Sequence, residues 1–339
     1  MSLRDALLSW YRAAGRKLVF RDARDPYAIW VSEVMAQQTR ITALLPYYER
    51  FMRAYPDVAS LAGASEHDVL KMWEGLGYYS RARSLHGAAR IVNDHYGGRV
   101  PDTWDALRRL PGVGDYTAGA ILSIAFGRRC PAVDGNVLRV WARLHGDDTD
   151  ISLPAARRAA ASWVSDLMPE DSPGDMTQAL MDLGALICAP KSPRCGECPV
   201  AGLCAAWATG RQGSLPVRPP KKAQRREHRA VLMVFDPAGQ VLMRRRHEAL
   251  LRGMWEFPPA PPHGMDLLSR TPCGTARHTF THIIWEMEGF LCQAAPSRAA
   301  LPEGWVWANA DRFATLAVPS AFRAFARIVG REMGKGKYA

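Results

Sequence analysis

Four of the seven cysteines, Cys188, Cys195, Cys198 and Cys204, fall within seventeen positions in a C-x6-C-x2-C-x5-C pattern, while Cys130, Cys273 and Cys292 are scattered. In a reducing compartment such clustering points to metal rather than disulfides. Thiolates suit zinc and iron–sulfur clusters alike, and either can take four cysteines. Zinc more often takes two C-x2-C knuckles separated by a longer span, which is not the pattern here. A second feature is the glycine turn in LPGVGDYTAG, residues 110–119, between two helix-like segments. Backbone N–H groups around Gly112 and Gly114, at the start of the following helix, would form a seat for a phosphate oxygen. Glycine suits the turn's φ angles and keeps a Cβ out of the approach. Two carboxylates complete the set. Glu33 in IWVSEVMAQQT is flanked by apolar residues, so burial would raise its pKa and favour the proton-donating form; the alternative is a solvent-facing Glu on an amphipathic helix. Asp134 in CPAVDGN stands where it would cap the next helix, a contribution of about 0.5–2 kcal/mol.

The elements that must position these groups are mostly helical. Residues 1–207 carry segment after segment with apolar residues at helical spacing, punctuated by Gly and Pro. In the stretch beginning DPYAIWV, Asp25 is the expected N-cap and Pro26 the first helical residue. Residues 208–228 are basic, carry prolines and lack aromatics, which is linker composition. From 229 to 332 the pattern changes to strand-like runs, RAVLMVF, VLMRRR and HTFTHIIWEMEGFLC, followed by a closing helix in VPSAFRAFARIVG. Residues 333–339 form a tail. The expected architecture is therefore multi-domain: an all-α region, then a small α+β domain.

The chain has 339 residues, 48% hydrophobic and 23% charged, with net charge +11 and pI near 9.5. Short basic clusters recur, at Arg81/Arg83, Arg128/Arg129, Arg157/Arg158, Lys221/Lys222, Arg225/Arg226 and Arg244–Arg246. Such patches commonly serve a polyanion, nucleic acid first in line; the bland alternative is a solvated basic surface. No apolar run of about 18 residues and no secretory signal pattern is present, which leads us to expect a soluble, cytoplasmic protein with no membrane partner.

The cysteine spacing resembles the [4Fe–4S] loop of the endonuclease III superfamily, and the glycine turn followed by CPAVDGN looks like a helix-hairpin-helix DNA glycosylase. GRK, DPY, SEVMAQQT, GLGYYSRAR, LPGVGDYTAGAI, VDGNV and MDLGALIC together resemble the adenine DNA glycosylase (MutY) family, almost end to end over the helical region. The resemblance implies one [4Fe–4S] cluster on the four cysteines, and duplex DNA bearing adenine opposite 8-oxoguanine or G as partner, bound by a monomer. It implies that Glu33 protonates adenine N7 and that Asp134 lies beside C1′ of the extruded nucleotide. Tyr116 and Asn136 would position the sugar and the second carboxylate. Tyr116 stands where the lyase branch carries a Schiff-base lysine, and a phenol cannot form a Schiff base, so a monofunctional glycosylase is expected. Arg16 and Arg21 match positions near the adenine pocket. Gln38, Thr39, Leu76 and Tyr78 match residues that fill the gap and contact the damaged base, core packing being the alternative for Leu76 and Tyr78. Lys191 and Arg194, in the loop between the first two cysteines, would be aimed at the phosphate backbone.

The C-terminal domain resembles a Nudix domain without the Glu-rich Nudix box, so diphosphate hydrolysis is not expected. Its Phe280, Thr281 and His282 occupy the place of a Phe-Ser-His signature that reads 8-oxoguanine. Thr281 replaces the usual serine, Leu18-Val19-Phe20 replaces Leu-Pro-Trp, and Ala36 replaces a leucine. The competing readings are an endonuclease III-like glycosylase for thymine or oxidised pyrimidines and a non-catalytic iron–sulfur DNA-binding protein. Tyr116 and the C-terminal domain count against the first, both carboxylates against the second.

Overall fold

A computed structural model describes residues 1–21, 25–39, 41–220, 223–296 and 300–334. The Lys221/Lys222 pair and all but the first two residues of the tail lie outside the described residues. The helices are α1 (Leu3–Ala14), α2 (Pro26–Ala36), α3 (Ile41–Ala54), α4 (Val58–Gly63), α5 (Glu66–Met72), α6 (Ser80–Tyr96), α7 (Trp104–Arg108), α8 (Asp115–Ile124), α9 (Gly135–His145), α10 (Pro154–Leu167), α11 (Pro173–Asp182) and α12 (Ala205–Ala208). Two further helices, α13 (Ala310–Thr315) and α14 (Arg323–Glu332), follow the strands β1 (Arg225–Phe235), β2 (Val241–Arg245), β3 (Trp255–Glu256), β4 (Leu267–Thr279), β5 (Ile283–Ala294) and β6 (Trp305–Ala308).

The chain divides into two compact units, one of residues 1–63 and 87–220, the other of residues 64–86 and 221–339. In the first, α9 is the central helix, buried without interruption from Val137 to Leu144. Leu7, Ala120, Val164 and Leu180, from α1, α8, α10 and α11, share its core. The start of α2 follows the local signals. The Asp25 carboxylate accepts the N–H groups of Tyr27 and Ala28, and Pro26 supplies an N1 position that needs no donor. α2 and α3 are separate helices, and between them Gln38 adopts a left-handed φ of 58°.

In the second unit the sheet order is β3-β2-β1-β5-β4, with β6 paired to β2. β1 and β5 run parallel from Arg225↔Ile283 to Phe235↔Gln293. Along β1, Val231 and Met233 pack with Phe313 and Phe325, while Leu232 and Val234 pack with Leu242 and Cys292 on the other face. Both faces are covered, hence the unbroken apolar run in the sequence.

Three expectations need correction. Residues 208–228 are not a uniform linker: the Leu215 carbonyl accepts from Arg143, Val217 accepts from the Ile151 N–H, and β1 already begins at Arg225. HTFTHIIW is not part of one strand: His278 and Thr279 end β4, Phe280, Thr281 and His282 form the turn, and Ile283 begins β5; β4 itself lay unread in the sequence because its residues are largely exposed and carry no apolar alternation. Residues 64–86 cluster with the C-terminal unit rather than with the helical region around them in sequence. Here α5 presents His67 and Lys71, one turn apart, to the carbonyls of Thr315 and Leu316 at 3.1 and 2.7 Å. Those carbonyls lie at the C-terminal end of α13, where cationic donors are favoured.

Candidate active site

The first unit contains a cleft of about 1170 Å³ lined by Glu33, Tyr116, Asp134 and Asn136 together with Arg16, Arg21, Gln38 and Thr39. Glu33 is the charged residue of α2, a helix buried on nearly every side. Its Oε2 accepts a hydrogen bond from the Tyr116 hydroxyl, which comes from the first turn of α8. Burial pushes the Glu33 carboxyl up, the Tyr116 bond pulls it partly back, and the charge of Asp134 adds to the rise. Burial likewise drives the Tyr116 phenol well above its ordinary value, with the charges of Glu33 and Asp134 next. A neutral phenol therefore sits against a carboxyl biased toward its protonated form.

Asp134 does what its position beside α9 demands. Oδ1 accepts the N–H groups of Asn136 and Val137, both at 2.8 Å, and Oδ2 accepts the Asn136 side-chain amide at 2.7 Å. Burial raises its pKa and these three bonds hold it down, the first effect winning. The cap thus fixes the carboxylate rigidly at the cleft. Asn136 is held in turn, its Oδ1 accepting from Arg139 at 2.8 Å. The same guanidinium donates to the Gly184 and Cys188 carbonyls, both at 2.7 Å. Gly184 lies in the π-helical turn Leu183–Ile187 that continues α11, and a Cβ there would come within 2.6 Å of the Asn136 Cβ, so only glycine permits this approach.

Asp182 was not singled out from the sequence. It is fully buried at the end of α11. Arg21 grips its two oxygens at 2.7 and 2.8 Å, while Arg16 donates through its backbone N–H at 2.9 Å and through Nε at 2.7 Å. Burial alone would raise this carboxyl, but Arg21 and then Arg16 bring it below its ordinary value. The signal available was a lone acid inside the apolar run ALMDLGALI, since a buried acid needs a partner.

None of the four clustered cysteines is in a disulfide, and Cys188, Cys195 and Cys204 all act electrostatically on Cys198, so the four sulfurs share one loop. Among the described residues no three of His, Cys, Asp and Glu stand close enough to hold one metal ion. Four thiolates carried by one short loop suit a cluster that takes one thiolate per iron. Arg143, buried on α9, donates to Cys188 Sγ at 3.3 Å and to the Ala189 carbonyl at 2.8 Å, while its own carbonyl accepts from Cys204 Sγ. Lys191 is exposed. Arg194 turns back on its own loop, donating to the Leu186 carbonyl at 2.8 Å and pairing with Glu197 at 2.9 Å, so part of its donor set braces the loop.

In the glycine turn, Gly112 has φ 76°, a conformation that L side chains rarely adopt, whereas Gly114 has φ −88° and a Cβ there would meet nothing in the protein. Gly114 caps α8 without a side-chain acceptor, leaving the first N–H groups of that helix to an external oxygen. In the second unit Leu76 is buried, the packing alternative rather than a presented wedge, while Tyr78 is 45% exposed with φ 47°. The Tyr78 hydroxyl meets Thr281 Oγ1 at 3.2 Å, and Phe280 packs edge-on against Trp285. A pocket of about 360 Å³ lies here, with Phe280, Thr281 and His282 in its lining.

Residues 31–166 match the model of the HhH-GPD superfamily base excision DNA repair protein, residues 188–204 the iron-sulfur binding domain of endonuclease III, and residues 230–327 a NUDIX domain. Among curated proteins the chain is 34% identical to the adenine DNA glycosylase of Mus musculus, covering 95% of this chain and 76% of that protein. It is 33% identical to the adenine DNA glycosylase of Homo sapiens, over 96% and 74% of the two chains. Of solved structures, a thermostable thymine-DNA glycosylase aligns with TM-score 0.56 at 30% identity, over 61% of this chain and 95% of that one. An endonuclease III–DNA covalent intermediate aligns at 0.52 and 25%, over 61% and 94%. The chain therefore belongs to the adenine DNA glycosylases, DNA-binding enzymes of base excision repair, with a helix-hairpin-helix catalytic region, a [4Fe–4S] cluster and a C-terminal Nudix domain.

Proposed function

We propose that this enzyme removes adenine paired with 8-oxoguanine or G by hydrolysis, with Glu33 as proton donor to adenine N7 and Asp134 as the anion facing the oxocarbenium-like sugar. The observation that carries the reading is the Glu33–Tyr116 contact in a cleft shared with the capped Asp134. Extruding the nucleotide costs a few kcal/mol of unstacking, which contacts in the cleft must offset. Glu33, held toward its protonated form, converts adenine into a better leaving group. As the glycosidic bond breaks, positive charge grows on the sugar, and Asp134 lies opposite it, as paired carboxylates do in glycoside hydrolysis. Adenine departs with the proton from Glu33, and water then adds to C1′ and releases a proton to solvent. No amine stands at position 116 to form a Schiff base, so the product is an abasic site. Arg16 and Arg21, oriented by Asp182, flank the base; Gln38, Thr39 and Tyr78 serve the opposite strand. The cluster organises the loop that carries Lys191 and Arg194 toward the phosphates, and Gly112 and Gly114 seat a phosphate.

The catalytic part is assigned to the cleft-bearing unit of residues 1–63 and 87–220 and damaged-base recognition to the second unit, where Phe280, Thr281 and His282 border a pocket of about 360 Å³. A cytoplasmic monomer is the form proposed; among the described residues no helix is long and apolar enough to cross a membrane. The test is incubation with a duplex carrying adenine opposite 8-oxoguanine, followed by alkali. Strand breaks at the adenine are expected, and none should appear without alkali. Intact DNA despite normal binding would refute the reading.

A further inference from the structure

We infer that Arg157 is a phosphate clamp for the nucleotide whose base is removed, an inference that rests on the excision proposed above. α10 begins with Pro154 at its first position, so Arg157 projects from its opening turn. The Arg157 Nη1 donates to the Val133 carbonyl at 3.0 Å, and Val133 immediately precedes Asp134. Arg157 lines the same cleft as Glu33, Tyr116 and Asn136, yet it remains an exposed residue. The anchor uses one of the five guanidinium N–H donors.

Its charge balance sets it apart from the other arginines of the cleft. Arg16 and Arg21 are committed to the Asp182 carboxylate. Arg157 is tied to a neutral carbonyl, and among the described residues no carboxylate pairs with it. A cation left uncompensated, fixed one residue from the carboxylate that must face C1′, is placed to meet the phosphates on either side of that sugar. The planar fork suits two phosphate oxygens, and the bond to Val133 orients it before DNA arrives, so less side-chain freedom is lost on binding. A tie that merely fastened α10 to the loop before α9 would call for no charge.

The test measures binding to a duplex with a tetrahydrofuran abasic site opposite 8-oxoguanine, from 50 to 200 mM salt. Each neutralised phosphate contributes about 0.9 to the slope of log affinity against log salt. Arg157→Gln is therefore expected to lower the slope by about 0.9, so that the variant loses about 3.5-fold less affinity than wild type over that range. Arg157→Lys should keep the slope while binding more weakly, because the charge remains and the fork is gone. Arg157→Met, which keeps the apolar stem, stands in if the glutamine variant fails to fold. A neutral variant with the full wild-type slope overturns the clamp, even if its melting temperature falls, since lost packing leaves the slope unchanged. Adenine excision by wild type is run alongside. An active wild type with an unchanged variant slope refutes Arg157 alone, whereas an inactive wild type refutes the excision reading and with it the flipped nucleotide.

Discussion

Replacing Asp182 with asparagine tests the buried pairing that holds Arg16 and Arg21 at the cleft. The carboxylate is fully buried, and the side chains around it are 24% exposed for Arg16 and 11% for Arg21. Removing one partner of a buried pair costs about 3–5 kcal/mol, because the remaining charge is left uncompensated. Asparagine still offers one acceptor oxygen, and Arg16 can recover some hydration, so the expected loss is about 2–4 kcal/mol. For a unit of roughly 200 residues, each kcal/mol lowers Tm by about 2–4 °C, giving a drop of about 4–16 °C. The pH dependence fixes the mechanism. Asp182 titrates below its ordinary value in the folded chain: burial opposes this, but Arg21 and Arg16 outweigh it. Its stabilisation is complete above the unfolded carboxyl pKa of about 3.9 and disappears as pH falls through the folded value. The gap between wild type and Asp182→Asn should thus be constant near neutrality and close below about pH 4. Thermal and urea unfolding followed by circular dichroism between pH 7 and pH 3 would measure it. A loss under about 1 kcal/mol at pH 7, or a gap that widens on acidification, would refute the reasoning.

Glu33→Gln should slow single-turnover excision by at least about 100-fold with little change in duplex affinity, the low end of what a general acid supplies. Because Glu33 must be protonated and its pKa is raised, the wild-type rate should fall as pH rises through that value. It should also fall on the acid side as Asp134, raised as well, takes up a proton. The glutamine variant should lose the alkaline limb, and retention of that limb would remove Glu33 from the role. Arg139→Gln leaves buried acceptors at Asn136, Gly184 and Cys188 short of donors, at about 1–3 kcal/mol for each one left unsatisfied. Lower iron per chain, a lower melting temperature and slower excision are expected together. Full iron with wild-type excision would sink the idea that this arginine supports both sites.

Much of the site was legible because its signals are local. Asp25 and Asp134 lie within three residues of the N–H groups they cap, so a short window of sequence contains the whole interaction. Tyr116 could be read as a residue that is not lysine, but its contact with Glu33 spans 83 positions and depends on how α2 packs beside α8. Leu76 shows the opposite failure, since GLGYY looks like a loop bearing bulky side chains outward, and yet only Tyr78 is presented.

What the sequence determined by itself is the run of helices, the strand-bearing C-terminal part, the four-cysteine loop and the glycine turn, each specified by spacing along the chain. What tertiary structure alone decided is how charges and strain are distributed. Asp182 meets its arginines across more than 160 positions. Residues 64–86 leave their neighbours in sequence because His67 and Lys71 find the carbonyl end of α13. Gln38 and Tyr78 are held in left-handed conformations that no propensity favours, at a cost of about 1–3 kcal/mol each that the surrounding structure must offset. The physical reason is common to all three: capping and periodicity act within a turn or two of chain, whereas burying a charge or holding a strained residue requires partners that only the packed fold brings together.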